Sequence, residues 1–242
     1  GLAGRLARVP VVWHMHDMLL PTVMPTTTRQ ALKAAAVVTC DRLLAVSEAT
    51  AESLRRQGFP GSRLRTVLNG VEPDAVGRGT GGRLRRELGV SDATPLVGIL
   101  GRLCPWKGQH VFLRAAAQIV RTRPVHFVLI GGDILADRGY RAELEALARR
   151  LGLAHRVSFT GARDDRLELL CDLDVVVHAS VEPEPFGLVV VEAMLAEKAV
   201  VASDAGGVRE IVVPGVTGLL VPPGDAAALA RACLHLLGNP ER

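Results

Sequence analysis

The chain has 242 residues, 48% hydrophobic but only 3% aromatic, enough for one large or two modest domains with cores of Val, Leu, Ile and Ala. Twenty-nine basic against twenty-five acidic residues leave a formal charge of +4, too mild and too scattered for a nucleic-acid footprint. Cys40, Cys104, Cys171 and Cys233 show no C-x-x-C spacing and no nearby His partner, which excludes the usual metal and redox patterns and reads as free thiols. No apolar run approaches the ~18 residues of a membrane span. A cytoplasmic protein is expected, with no nucleic-acid partner and at most weak peripheral association with an anionic membrane. The chain begins at Gly1 rather than Met, so a fragment is expected.

In chain order, Val9 to Trp13 predicts a short buried strand running into His14, His16 and Asp17 at its carboxyl end, where open α/β sheets place ligands. Residues 28–38 predict a helix and 42–46 a strand; Ser47 is the expected N-cap of a helix to about Gln57, stopped by Gly58. A strand over 63–68 closes at the turn pair Asn69-Gly70. From Glu72 to Gly82 the composition shifts to Pro, Asp and Gly, predicting a linker. Gly77 to Gly82 fits G-x-G-x-x-G, but no strand leads into it, so the dinucleotide reading is rejected.

A second alternating series follows. Strands are predicted at 96–100, 125–130, 156–160, 174–178, 199–202 and 218–221, and helices at 109–121, 140–151 and 164–171. Gly206 to Glu210 opens another helix, and Asp225 caps a last one to Leu237. Such alternation predicts an α/β protein with parallel sheets in two Rossmann-like domains. The first spans 1–75 and the second 76–242.

The most informative stretch is Glu182-Pro-Glu-Pro-Phe-Gly-Leu-Val-Val-Val-Glu-Ala-Met194. Its two prolines keep the loop extended, so helical geometry is expected to begin at Phe186 or Gly187. The N–H groups of Gly187, Leu188 and Val189 would then form an open helix terminus, which suits a phosphate. Glu192 falls one turn deeper on the face of Leu188, and Glu184 lies on the loop. A second loop, Gly101 to Gly108, brings Arg102 and Lys107 to the carboxyl end of another strand. Two cations and a helix terminus on one rim would hold a diphosphate. Arg102 and Lys107 taken singly read equally well as surface caps. Asp172-Leu-Asp174 imitates a D-x-D metal motif, but it precedes its strand, at the wrong end of the sheet, and a capping or solvated role is expected instead.

Taken together, these residues resemble the retaining, nucleotide-sugar-dependent glycosyltransferases of the GT-B type, group 1 (family four), over nearly the whole chain. The resemblance rests on His16-Asp17 after an apolar strand, Val46-Ser47 to Asn69-Gly70-Val71, and Gly101-Arg102 with Lys107-Gly108. Glu184 and Glu192 form an E-x7-E pair, followed by Gly206-Gly207, Glu210 and Thr217-Gly218. The resemblance implies that Glu192 bonds the ribose hydroxyls of a UDP- or GDP-type nucleotide-sugar donor and that Arg102 and Lys107 neutralise its diphosphate. The backbone of Phe186, Gly187, Leu188 and Val189 would hold sugar and phosphates, with Glu184 on the donor sugar or its developing cation. Gly161 and Arg163 would border the base, and His16 would face the donor sugar and acceptor. The implied catalytic set is Glu184, His16, Arg102 and Lys107, with no metal and no cofactor beyond the donor substrate. The acceptor, whether glycan, lipid or small molecule, stays open.

Two features depart from the family pattern. Glu197 and Ala199 stand where the family has Gly and Pro, which removes the usual left-handed helix cap at a cost of about 1 kcal/mol. The glycine-rich loop that precedes this region in the family, and the terminal helix that crosses back to the first domain, have no counterpart, implying truncation at both ends and exposed sheet edges. Open alternatives are a non-catalytic nucleotide-sugar-binding module, the donor half of a split enzyme, and a nucleotide-sugar epimerase. A phosphorylase would need a pyridoxal-binding lysine, for which nothing in the sequence argues.

Overall fold

The computed structural model describes residues 1–22, 24–73, 81–133 and 139–239. The chain divides into two compact units. The first is Gly1–Gly70 together with Pro183–Gly187 and Gly206–Glu210; the second is Val71–Glu182, Leu188–Ala205 and Ile211–Arg242.

The first unit contains α1 (Leu2–Leu6), β1 (Val12–Met15), α2 (Thr26–Thr39), β2 (Arg42–Ala45), α3 (Glu48–Arg56) and β3 (Leu64–Thr66). Its strands form a three-stranded parallel sheet in the order β1-β2-β3. Leu43, Ala45, Leu54, Phe59 and Leu64 pack into its core. Ser47 caps α3 as its sequence position predicts, accepting from the Thr50 N–H.

Strand β1 begins three residues later than predicted. Residues before it are used otherwise: Val9 N–H closes α1 onto Gly4 O, and Val11 N–H donates to Asp41 Oδ2 at 2.8 Å. Pairing with β2 starts at Val12–Arg42. His14 therefore lies inside the strand and His16 one residue beyond it. Helix α1 was not predicted; at five residues it is too short to show a period.

The second unit contains α4 (Arg83–Leu88), β4 (Leu96–Leu100), α5 (Gln109–Ile119), β5 (His126–Ile130), α6 (Tyr140–Arg150), β6 (Val157–Gly161), α7 (Arg166–Leu169), β7 (Val175–His178), α8 (Leu188–Leu195), β8 (Ala199–Ser203), β9 (Leu219–Val221) and α9 (Ala226–Gly238). Six strands form a parallel sheet in the order β6-β5-β4-β7-β8-β9. Strands β4, β5 and β7 are almost wholly buried, which is why they read as unbroken apolar runs. Phe112 and Phe127 meet edge to face in this largely aliphatic core, with ring centroids 5.7 Å apart.

Asp172 and Asp174 serve the amino end of this unit. The Asp172 carboxylate accepts from the Gly82 N–H and, at 2.6 Å, from the Leu84 N–H, capping α4. Asp174 accepts from Leu96 N–H at 2.6 Å and pairs with buried Arg85 at 2.7 Å. Both acids have structural partners there, as their position in the sequence led one to expect. Most of the predicted linker, and with it most of the Gly77 to Gly82 stretch, lies outside the described residues. Cys40, Cys104 and Cys233 are buried free thiols and Cys171 is partly covered; burial pushes the Cys233 thiol up to about 12, so it stays protonated and inert.

Two predicted starts are corrected. Helix α8 begins at Leu188, because Gly187 has a φ of 106°, outside the right-handed helical region. Gly207–Glu210 forms one 3₁₀ turn rather than opening an α-helix; Pro214 follows four residues on and disfavours helical geometry before it.

The end of α8 keeps a left-handed cap although no glycine is there. Lys198 N–H bonds Ala193 O and Glu197 N–H bonds Met194 O, both at 3.0 Å, with Glu197 at φ 57°. This is a Schellman motif with glutamate in the glycine position. Glu197→Gly is expected to raise unfolding free energy by about 1 kcal/mol, read as a higher denaturant midpoint at unchanged slope.

Candidate functional site

In the second unit the chain order of the strands reverses between β4 and β7, the position at which doubly wound sheets open a ligand crevice beyond their carboxyl ends. The loops leaving β4 and β7 meet there: Val181 N–H donates to Trp106 O at 2.8 Å. Gly108 lies so close to the second loop that a Cβ on it would come within 1.9 Å of Ala179 O. Its φ of 73° ends the 3₁₀ turn Pro105–Lys107 and opens α5.

Three neighbouring strand ends are joined along the same rim. Gly101 N–H donates to Ile130 O, Leu103 N–H to Gly132 O, and Gly131 N–H to Gly161 O, each at 3.0 Å. A side chain at Gly131 would strike Gly101 O at 1.9 Å. The register shift at Leu129/Ile130 places Ile130 opposite Gly161, which has a φ of 75°. Glycine's lack of a Cβ lets these loops stack as bare backbone.

On this frame Arg102 is exposed and, among the described residues, joins no ion pair; its carbonyl accepts from Gln109 Nε2 at 2.8 Å. Lys107 lies with its ammonium 4.4 Å from the Trp106 ring centroid, a cation–π contact that steadies its position. Gln109 is 1% exposed, and its Oε1 has no hydrogen-bond partner in the protein. Nothing in the local pattern marks Gln109, because a glutamine at the start of a helix is ordinarily solvated.

Glu192, on α8, is 6% exposed and its Oε2 is also buried without a protein partner. Desolvation raises its carboxyl above the usual range, and Arg166, 3.7 Å away, offsets part of that effect. A buried carboxylate so weakly compensated is costly to the empty protein and is a marker of a ligand site. Arg166 was not singled out from sequence, since it lies on α7 and reaches Glu192 only in the folded unit.

Arg163 differs from the rest. Its guanidinium is taken by Asp165 at 2.7 Å and Glu87 at 2.8 Å; the same contact holds Asp165 down at about 2. The loop carrying Gly161 and Arg163 sits on the rim, but that arginine's charge is already matched. The amides of Leu188 and Val189 open α8, and first-turn amides have no intrahelical acceptors.

Glu184, Phe186 and Gly187 belong by their contacts to the first unit, so the two acids of the E-x7-E pair fall in different units. Glu184 forms a parallel bridge with Gly206, and Phe186 is 5% exposed. Also in the first unit, His16 Nε2 lies 3.1 Å from His14 Nδ1, and both rings are exposed. Among the described residues no group of three or more His, Cys, Asp and Glu could hold a metal ion, and no helix is long and apolar enough to cross a membrane.

Residues 94–239 match the family model described as glycosyl transferases group 1, and residues 1–75 match glycosyltransferase family 4. The chain is 30% identical to alpha-D-kanosaminyltransferase of Streptomyces kanamyceticus, over 99% of this chain and 64% of that protein. It is 35% identical to GDP-mannose-dependent alpha-mannosyltransferase of Mycobacterium tuberculosis, over 84% of this chain and 50% of that protein. Anabaena Alr3699/HepE, solved in complex with UDP and glucose, superposes with a TM-score of 0.93 at 36% identity, over 99% of this chain and 65% of that one. The chain thus spans less than two thirds of the length of these relatives. On this match and on its parallel α/β architecture, the chain belongs to the group 1 glycosyl transferases.

Proposed function

We propose that this chain is the donor-binding part, with some of the acceptor side, of an enzyme that transfers a hexose-type sugar from a nucleoside diphosphate sugar to an acceptor, with retention and without a metal. The acceptor is a glycan, a lipid or a small molecule. In this reading the acceptor-side domain covers 1–75, the donor domain covers 76–242, and the reaction is cytoplasmic. The carrying observation is the buried Glu192 carboxylate, one oxygen of which has no hydrogen-bond partner, in the unit whose rim carries Arg102 and Lys107. A pair of ribose hydroxyls would supply the donors that Glu192 lacks. HepE bound to UDP-glucose and the GDP-mannose dependence of the mycobacterial relative support a UDP- or GDP-type donor.

The chemistry follows from charge. As the sugar–phosphate bond breaks, negative charge grows on the leaving diphosphate. Fixed cations and amide dipoles bind it more strongly in the transition state than in the substrate. Arg102 would fork onto phosphate oxygens, Lys107 would act as a point charge, and the amides of Leu188 and Val189 would complete the cradle. Glu184, Phe186 and Gly187 are assigned to the donor sugar, Gly161 and Arg163 to the edge of the base through the loop backbone, and His16 to the donor sugar and acceptor. The leaving phosphate itself would accept the acceptor's proton, as both partners share one face of the sugar.

Calorimetric titration with UDP and GDP tests the assignment and identifies the base. Glu192→Ala is expected to weaken the nucleoside and the nucleoside diphosphate alike, whereas Arg102→Ala weakens the diphosphate about tenfold or more and the nucleoside little. Unchanged affinities in both variants would remove the donor site.

Glu192→Gln adds a stability signature. Its carboxyl is raised above the ordinary 4.5, so the penalty of the charged form is absent below pH 4.5, grows as pH rises through the folded value, and is complete above it. The amide variant should melt above wild type at pH 7, with the gap closing below pH 4.5, while binding nucleotide less tightly. A gap that does not change with pH would contradict this account.

A further inference from the structure

The loop Pro183–Gly187 is held by groups that come from two distant parts of the sequence, all within the first unit. Gly207 N–H donates to Glu184 O at 2.8 Å. The hydroxyls of Ser47 and Thr50, both wholly buried, donate to Pro185 O at 2.5 and 3.1 Å. The Glu210 carboxylate in turn spans the first turn of α3, accepting from Glu48 N–H at 2.8 Å and Ala49 N–H at 2.7 Å.

These contacts close a ring. It runs from Gly207 to the loop, from Pro185 to Ser47 and Thr50 on α3, and from the amides of the same helix turn through Glu210 back to the 3₁₀ turn that begins at Gly207. The fit is tight: a Cβ at Gly206 would lie 2.2 Å from Glu184 O, and one at Gly207 would lie 2.4 Å from Pro185 O.

The ring sets the direction of a peptide plane. In a trans peptide the C=O and the following N–H point opposite ways. Fixing Pro185 C=O onto α3 therefore aims the Phe186 N–H away from α3, and the Glu184 side chain leaves from the peptide just before.

We propose that Glu210 is a positioning residue for Glu184–Gly187, acting through α3, and that its effect falls on recognition of the donor's sugar rather than its nucleoside diphosphate. This rests on the donor reading above. Glu210 has no place in that reading's ligand contacts. It is exposed, so its loss costs the fold little, whereas a loop with loosened carbonyls loses its preorganised amide.

The test uses the full chain with Glu210→Ala and Glu210→Gln, and Ser47→Ala as an independent break in the ring. UDP and UDP-glucose, and the GDP and GDP-mannose pair, are titrated calorimetrically, and hydrogen exchange is followed at Gly207 and across 183–190. Nucleoside diphosphate affinity should stay within about twofold of wild type, while the ratio of nucleotide-sugar to nucleoside diphosphate affinity falls about tenfold in Glu210→Ala. The fall should be smaller in Glu210→Gln, which keeps one acceptor oxygen, and Ser47→Ala should reproduce it. Exchange at Gly207 should quicken without change in β4 and β5. Equal losses for both ligands, or an unchanged ratio, would overturn the proposal. Should the wild-type chain bind neither nucleotide, the donor reading fails by itself; unchanged exchange at Gly207 in Glu210→Ala would sink the positioning role on separate grounds.

Discussion

A Cβ on Gly108 would lie 1.9 Å from Ala179 O, and one on Gly131 would lie 1.9 Å from Gly101 O. The second unit depends on these bare-backbone contacts, because strand ends about 4.8 Å apart in a sheet leave no room for side chains where their loops also cross. Every cation and amide assigned to the diphosphate is carried by loops or helix ends that this packing fixes. A methyl group at either glycine would push apart two backbones, neither of which has a flexible end to yield.

On that frame one buried acid, Glu192, is left poorly compensated. Asp172, Asp174 and Arg163 each find partners within 3 Å, and their charges are spent on structure. Among the described residues, Glu192 pairs with a half-exposed arginine at 3.7 Å, and its carboxylate is otherwise shut from water. A protein selected for stability alone would have no use for such a group, and its burial in the unit whose rim carries Arg102 and Lys107 is what turns an ordinary pair of glutamates into a functional reading. Arg102 and Lys107 show how little the sequence motif says about geometry: one is open to solvent and the other is held beside Trp106.

The first unit shows the same economy of partners. The N-terminus of α3 could have served an anion, but its amides are occupied by Glu210 and its cap residue holds a loop carbonyl. A helix terminus identified from sequence is therefore a donor set without an address; packing decides which acceptor it receives. The two termini differ accordingly: α3 is filled by a residue of its own chain, whereas α8 opens directly after a glycine in a non-helical conformation.

The sequence by itself determined the alternation of strands and helices, the caps at Ser47 and Asp225, and the order of motifs that places this chain in its family. Those signals are local: apolar periodicity, proline, glycine and capping residues act within a few positions of themselves. Element ends were displaced where a distant contact competed, as at β1, or where the backbone turned out of helical geometry, as at Gly187. Only the tertiary structure decided that Asp172 caps a helix 88 positions upstream, that Glu210 holds one 162 positions upstream, and that Glu192 is buried with one oxygen unpartnered. Those outcomes depend on which groups the fold excludes from water and which partners it brings within hydrogen-bond reach, and no spacing along the chain encodes either.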